Sequence, residues 1–144
     1  MKELTTTHQT IFHGVRYRDA RAAIAWLERA FGAEPEVCYD MPDGTVAHAQ
    51  LRIAGNLIML GETRDDEHPV RTPEQVGGVT ASFYVVLPDA AAVDALHARA
   101  AAAGAKILHE PHDTDYGSHD FAAYDIGGHP WTFGTYDPAA AHAP

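Results

Sequence analysis

Cysteine and lysine are nearly missing from this sequence: Cys38 is the one thiol, and Lys2 and Lys106 are the two lysines. A lone thiol forms no intramolecular disulfide and no cysteine metal cluster. A reducing cytoplasm is therefore the expected compartment. Scarce lysine in a chain of formal net charge −10 argues against nucleic acid, because phosphate binding needs clustered Lys and Arg. No apolar run approaches the roughly 18 residues of a spanning helix. The opening MKELTTTHQT has none of the apolar stretch of a signal peptide, so no membrane partner is expected. Nucleophile elbow, P-loop and dinucleotide-binding glycine fingerprint are also missing, and the glycines fall mostly in turns.

What is present fits one folded domain. The chain has 144 residues, of which 46% are hydrophobic. A chain of that size buries roughly 68–70% of its unfolded surface. It therefore has room for a true core, either as one domain or as two half-domains sharing it. The acidic balance speaks for solubility rather than for a function. Ten histidines are many. No two of them share a predicted helix at the i,i+3 or i,i+4 spacing of a metal-binding pair, so compositional drift explains the count better than metal storage does.

The chain repeats itself. One helix is expected from Asp19 to Phe31, stopped by Gly32, and a second from Asp89 to Ala103, stopped by Gly104. Each begins on an aspartate suited to N-capping and ends on a glycine suited to the left-handed C-cap. Ile24, Leu27 and Phe31 share one helical face, as do Val93, Leu96 and Ala100. A strand precedes each helix, at Ile11–Tyr17 and Ser82–Leu87. Three extended segments follow each: Glu36–Asp40, Thr45–Ile53 and Asn56–Leu60 in the first half, then Lys106–Glu110, Ser118–Asp125 and Pro130–Thr135. Gly44 and Gly117 are 73 positions apart, as are Gly55 and Gly128, and Gly61 and Gly134. The pattern predicts an α+β fold of two tandem β-α-β-β-β modules, at about 9–62 and about 79–136. Residues 63–78 form a connector that contains Arg64-Asp65-Asp66-Glu67-His68-Pro69. It reads as a solvated loop, with a lid over a site as the alternative. Residues 137–144, rich in Pro and Ala, read as a loose tail.

Two stretches carry a family resemblance. Tyr17-Arg18-Asp19 leads into a helix closing on Ala30-Phe31-Gly32-Ala33-Glu34, and the run from Tyr116-Gly117-Ser118-His119-Asp120-Phe121 through Gly127-Gly128-His129-Pro130-Trp131-Thr132-Phe133-Gly134 ends the second module. With the paired modules, these resemble the vicinal oxygen chelate superfamily, that of glyoxalase, bleomycin-resistance and extradiol-dioxygenase proteins. The likeness covers nearly the whole chain. This ending departs from the family's at His119 and Tyr124, where Arg is common, and at Ile126 and His129-Pro130.

The resemblance implies a curled sheet with a concavity. In metal-dependent members a divalent ion sits there, held by His, Glu or Gln from the first and last strands of each module. Those four positions fall on Phe12, Met59, Ser82 and Thr132, which are poor ligands for a hard or borderline divalent ion. Slipping each strand by one residue recovers at most His13. The expectation is therefore no metal and no cofactor. Strand alternation would turn inward Phe12, Gly14 and Arg16; His48, Gln50 and Arg52; Leu57 and Met59; Ser82, Tyr84 and Val86; Asp120, Ala122 and Tyr124; and Thr132. The ligand-binding candidates are Phe12, Arg16, His48, Gln50, Met59, Ser82, Tyr84, Tyr124 and Thr132. Arg16 could clamp an anion or pair with one of the many acids. Trp26 and Trp131 read as core.

The resemblance implies a homodimer that binds a small molecule, with modules of two chains completing each cavity. A metal-independent protein of the bleomycin-resistance type, sequestering a cationic or aromatic drug, heads the expectations. An enzyme is the alternative: a glyoxalase-like lyase or isomerase or a dioxygenase using displaced histidines, or a metal-free enzyme of secondary metabolism. Its candidate proton-transfer groups are His48, Tyr84 and Asp120. His119 and Asp120 are neighbours on a strand and point to opposite faces, which weakens a dyad between them.

Overall fold

Two four-stranded sheets of identical connectivity make up the computed structural model, which describes residues 8–140. The first contains β1 (Gly14–Tyr17), β2 (Glu34–Asp40), β3 (Val46–Ile53) and β4 (Asn56–Glu62), in the order β1-β4-β3-β2. The second contains β5 (Phe83–Val86), β6 (Lys106–Asp113), β7 (His119–Tyr124) and β8 (Pro130–Gly134), in the order β5-β8-β7-β6. In each sheet the first strand pairs parallel with the last and the other pairs are antiparallel. The helix α1 (Ala20–Phe31) crosses over within the first half and α3 (Ala90–Ala102) within the second. The expected tail over 137–144 falls partly outside the described residues, as does the opening through residue 7. Residues 137–140 form a hydrogen-bonded turn in which Asp137 accepts from Ala139 and Ala140.

The helix ends are built as the sequence indicates. The Asp19 and Asp89 carboxylates accept from the backbone N–H groups of Ala22 and Ala92. Glu62 at the end of β4 adds a bond from Ala20 N at 2.9 Å. Gly32 closes α1 with φ of 71°, where a Cβ would be strained. The C-terminus of α1 also receives Arg99 of α3, whose guanidinium donates to the carbonyls of Arg29 and Glu28. A cation there gives the terminal Arg29 carbonyl a partner, adds to the bond that Glu28 already accepts from Gly32 N–H, and suits the helix dipole.

Both helices cover one face of the sheets. Val15 and Tyr17 of β1, Ala49, Leu51 and Ile53 of β3 and Ile58 and Leu60 of β4 are buried beneath them. Phe83, Phe121, Ala123, Trp131 and Phe133 do the same in the second sheet. Phe31 joins the halves, its ring meeting Trp131 at 5.1 Å and Phe133 at 4.9 Å between centroids. The buried face of α1 is wider than the expected stripe, taking in Ala20, Ala23, Trp26 and Ala30, while Ile24 is only partly covered.

A buried carboxylate fastens the two modules together. Asp125, in the β7–β8 turn, is 5% exposed. Its Oδ2 accepts from Tyr17 of β1 at 2.5 Å and from Trp131 Nε1 at 3.0 Å. Its Oδ1 accepts from the backbone N–H groups of Gly127 at 2.8 Å and His129 at 3.1 Å. Burial and then the adjacent Asp125 carboxylate push the Tyr17 hydroxyl well above the usual tyrosine range, so Tyr17 stays protonated as the donor. Gly127 is required by space, since a Cβ there would lie 2.6 Å from the Tyr17 ring.

Several elements differ from expectation: β2 starts at Glu34, β4 runs on to Glu62 and β6 to Asp113. β1 and β5 start later, at Gly14 and Phe83, so Phe12 and Ser82 precede the strands that were to carry them. The ladder with β4 begins at Gly14↔Met59, and that with β8 at Phe83↔Trp131. The connector also holds a short helix, α2 (Pro73–Val76), with a capping box between Thr72 and Gln75. Thr-Pro-Glu-Gln is a legible signal for it, but one turn of helix has no apolar period to reveal it. Tyr17→Phe removes one donor from a buried carboxylate. We expect it to lower the unfolding free energy by about 1–3 kcal/mol in urea titration, with both modules still unfolding in one transition.

Candidate functional site

The face of each sheet away from the helices carries the alternate residues. His48, Gln50 and Arg52 of β3, Met59 of β4, and Ala122 and Thr132 of β7 and β8 lie there, as alternation predicts. They do not share one concavity within the chain. His48 and Met59 line a hollow in the first module and Ala122 and Thr132 one in the second, while Gln50 and Arg52 lie outside both linings.

Groove 1, about 420 Å³, is floored by Gly14, Arg16, His48 and Met59 and roofed by Arg64, His68 and Val70. Its roof is the connector, which stays exposed at Asp65, Glu67, His68 and Pro69, as a solvated loop does, while Arg64, Asp66 and Val70 turn toward the first sheet. Arg64 Nη2 donates to the carbonyls of Val46 and Ala47 at 3.0 and 3.2 Å. Asp66 takes both Nη groups of Arg16, at 3.0 and 2.9 Å. Arg16 is thus paired by the chain's own carboxylate. His48 Nε2 lies 2.9 Å from Gln50 Oε1, and Arg52 is drawn to the rim by Glu36.

Groove 2, about 530 Å³, has a different lining: His109, His112, Asp113, Asp115, Tyr116, Asp120 and Thr132 among others. Asp120 is 6% exposed. It accepts from Ser118 Oγ and, at 3.2 Å, from the Tyr116 hydroxyl. Ser118 in turn accepts from the backbone N–H groups of Thr135 and Tyr136. Tyr84 stands beside this cluster and donates to the Tyr136 carbonyl at 2.8 Å. Burial raises its hydroxyl above the usual tyrosine value. Gly134 makes the cluster possible, since a Cβ there would fall 2.1 Å from Asp120 Oδ1 and 2.6 Å from the Tyr84 oxygen.

The three proton-transfer candidates therefore do not form one site in a chain. Tyr84 and Asp120 meet around Gly134, but His48 belongs to the other groove. The Tyr84 proton is committed to a carbonyl. Of the remaining binding candidates, Phe12 is 39% exposed and Ser82 is exposed just before β5. Tyr124 is half-buried beneath Lys106, whose Nζ is 5.4 Å from the ring centroid.

Residues 8–133 match the family model described as the Glyoxalase/Bleomycin resistance protein/Dioxygenase superfamily. The chain belongs to that superfamily. It is 33% identical over 122 residues to the Mycobacterium bovis protein Mb0911c, an alignment covering 81% of this chain and 76% of the relative. Among solved structures, TioX from Micromonospora sp. ML1 superposes with a TM-score of 0.67 at 26% identity, covering 88% of this chain and 98% of TioX. The Listeria monocytogenes fosfomycin resistance protein FosX shares the fold, with a TM-score of 0.61 at 16% identity, covering 90% and 92% of the two chains.

The metal of this superfamily's metal-dependent members does not fit the residues present here. Met59 lies in groove 1 and Thr132 in groove 2, with Phe12 and Ser82 outside the strands. Thioether, phenyl and hydroxyl groups make a poor donor set for a hard or borderline ion. Among the described residues no three His, Cys, Asp or Glu side chains come together to hold a metal.

Two histidines deserve placing. His129 faces the first module: it stands edge-on to Tyr17, and its Nε2 lies 3.1 Å from the Arg16 carbonyl. His119 turns away from groove 2 and sits between Asp94 of α3 and Asp113 of β6, at 2.8 and 2.7 Å. Asp94 and then Asp113 raise its pKa above the ordinary value of 6.5. A raised folded-state pKa stabilises the fold fully below the unfolded value, and the gain is lost as pH rises through the folded value. The urea midpoint of the wild type should therefore exceed that of His119→Gln at pH 6, and the gap should shrink toward pH 9. A gap independent of pH would remove the imidazolium from the explanation.

Proposed function

We propose that this chain binds a small molecule without a metal and sequesters it, as bleomycin-resistance proteins do. What supports this reading is that no three His, Cys, Asp or Glu side chains come together to hold a metal among the described residues, together with the residue content of the four positions that the resemblance assigns to metal ligands, Phe12, Met59, Ser82 and Thr132. None offers the imidazole or carboxylate that metal-assisted chemistry on this scaffold would use. Groove 1 combines apolar surface from Val15, Met59, Leu60 and Val70 with two arginines and two histidines, whereas groove 2 is mostly polar and acidic with Tyr116 and Phe121 as its aromatic surface; such mixed linings support small-molecule recognition.

Groove 2 is the place for a cationic aromatic compound. Asp113, Asp115 and Asp120 line it, and the acidic net charge favours approach of a cation. Tyr116, 61% exposed, stands at the mouth with Tyr136 edge-on at 5.9 Å. Such a face offers stacking and cation–π contact. The reading includes a homodimer in the cytoplasm, with the partner's module closing each hollow. No helix among the described residues is long and apolar enough to cross a membrane.

Calorimetric titration of cationic aromatic and glycopeptide compounds, with chelator present, tests the proposal. At least one should bind, and prolonged incubation should return it unaltered. Tyr116→Ala should weaken that compound roughly fivefold, the equivalent of about 1 kcal/mol of aromatic contact. A panel without any binder, or a bound compound recovered chemically changed, contradicts sequestration.

A further inference from the structure

Groove 1 gathers two arginines in an acidic chain, one of them paired by Asp66. The chain carries 20 Asp and Glu against 10 Lys and Arg. Yet Arg16, Arg64, His48 and His68 line this hollow and no acidic residue does. A basic pocket in an acidic chain has a local cause, and the local chemistry names the ligand.

The chain answers the pocket with one carboxylate of its own. The Arg16 side chain is 11% exposed, set deep in the groove, while Asp66 reaches it from the connector and remains 32% exposed. Both carboxylate oxygens meet both terminal nitrogens in the parallel fork that planar carboxylates adopt on guanidinium. The neighbouring Asp65 and Glu67 make no ion pair among the described residues. Besides Arg16, the Asp66 carboxylate has the His68 backbone N–H and the nearby charge of Arg64, and its backbone carbonyl accepts a 3.4 Å bond from Arg71. Arg64 spends Nη2 on two carbonyls and pairs with no acid among the described residues. Next to these cations are Met59, Leu60 and Val70, and the glycines at 14 and 61 leave the floor low. The hollow thus offers a guanidinium at one end and apolar surface for a body.

We infer that groove 1 is a binding site for a small carboxylate with an aromatic or aliphatic body, and that Asp66 occupies the carboxylate position until the ligand displaces it. The site rests on the small-molecule reading above but is separate from groove 2 in place and in charge. Displacement frees the connector turn, so binding and release of residues 65–68 are one event. An intramolecular carboxylate on a short tether competes at an effective concentration in the millimolar range. Ligand affinity is reduced by the fraction of molecules in which Arg16 is already taken.

Phenylacetate and benzoate are the probes, with phenylacetamide as the neutral control, each titrated by calorimetry. Asp66→Asn keeps the shape and loses the charge. It should raise phenylacetate affinity about tenfold and leave phenylacetamide unchanged, and adding Arg16→Gln should abolish the gain. Equal affinity of wild type and Asp66→Asn, or an equal gain for phenylacetamide, overturns the inference. On the wild type alone, phenylacetate should speed tryptic cleavage after Arg71 and phenylacetamide should not. Failure of every carboxylate while a groove 2 compound still binds removes this site alone. Failure of both removes the small-molecule reading with it.

Discussion

The Asp125 carboxylate is the tie on which the arrangement of the two modules depends. It is buried, and a buried carboxylate is stable only when its oxygens are satisfied. Here four donors satisfy it, from Tyr17, Trp131, Gly127 and His129. Tyr17 belongs to the first module and the other three to the second. Separating the modules would take the Tyr17 donor from the carboxylate and leave the Tyr17 hydroxyl without its acceptor. Tyr17 is also the residue after Arg16, and His129 lies against the Arg16 carbonyl. The second module therefore sets the strand from which the first module's guanidinium enters groove 1.

Much of the architecture was legible because it is local and repeated. Asp19 and Asp89 as caps, Gly32 and Gly104 as stops, and turn glycines 73 positions apart each follow from backbone chemistry within a few residues. Alternation along β3 separated His48, Gln50 and Arg52 from the buried Ala49 and Leu51, but not from Ala47, which lines groove 1 with His48. The division of the site was not legible. Strand faces say which way a residue points but not which hollow it enters, so His48 and Asp120 looked like partners. The connector's contacts with the first sheet were not legible because they are long-range: Arg16 and Asp66 are 50 positions apart. The inward turn of His129 depends on packing between modules that no pattern in its own strand reveals.

Charge shows the same separation of scales. A net of −10 describes the field met by a distant ligand. It does not describe the few ångströms around a bound one. Asp113, Asp115 and Asp120 extend the global sign into groove 2, while groove 1 gathers Arg64 and Arg16, the latter paired by Asp66. The shared scaffold leaves such differences free, because function on a common fold resides in the side chains placed on it.

The central claim is that this member of the superfamily works without a metal. Elemental analysis of the purified protein, with thermal unfolding measured in the presence and absence of chelator, tests it most directly. The account predicts metal far below one equivalent per chain and an unfolding temperature that chelator leaves unchanged. One equivalent of nickel, zinc, iron or manganese, lost with a fall in that temperature, would contradict it and make a displaced histidine a ligand.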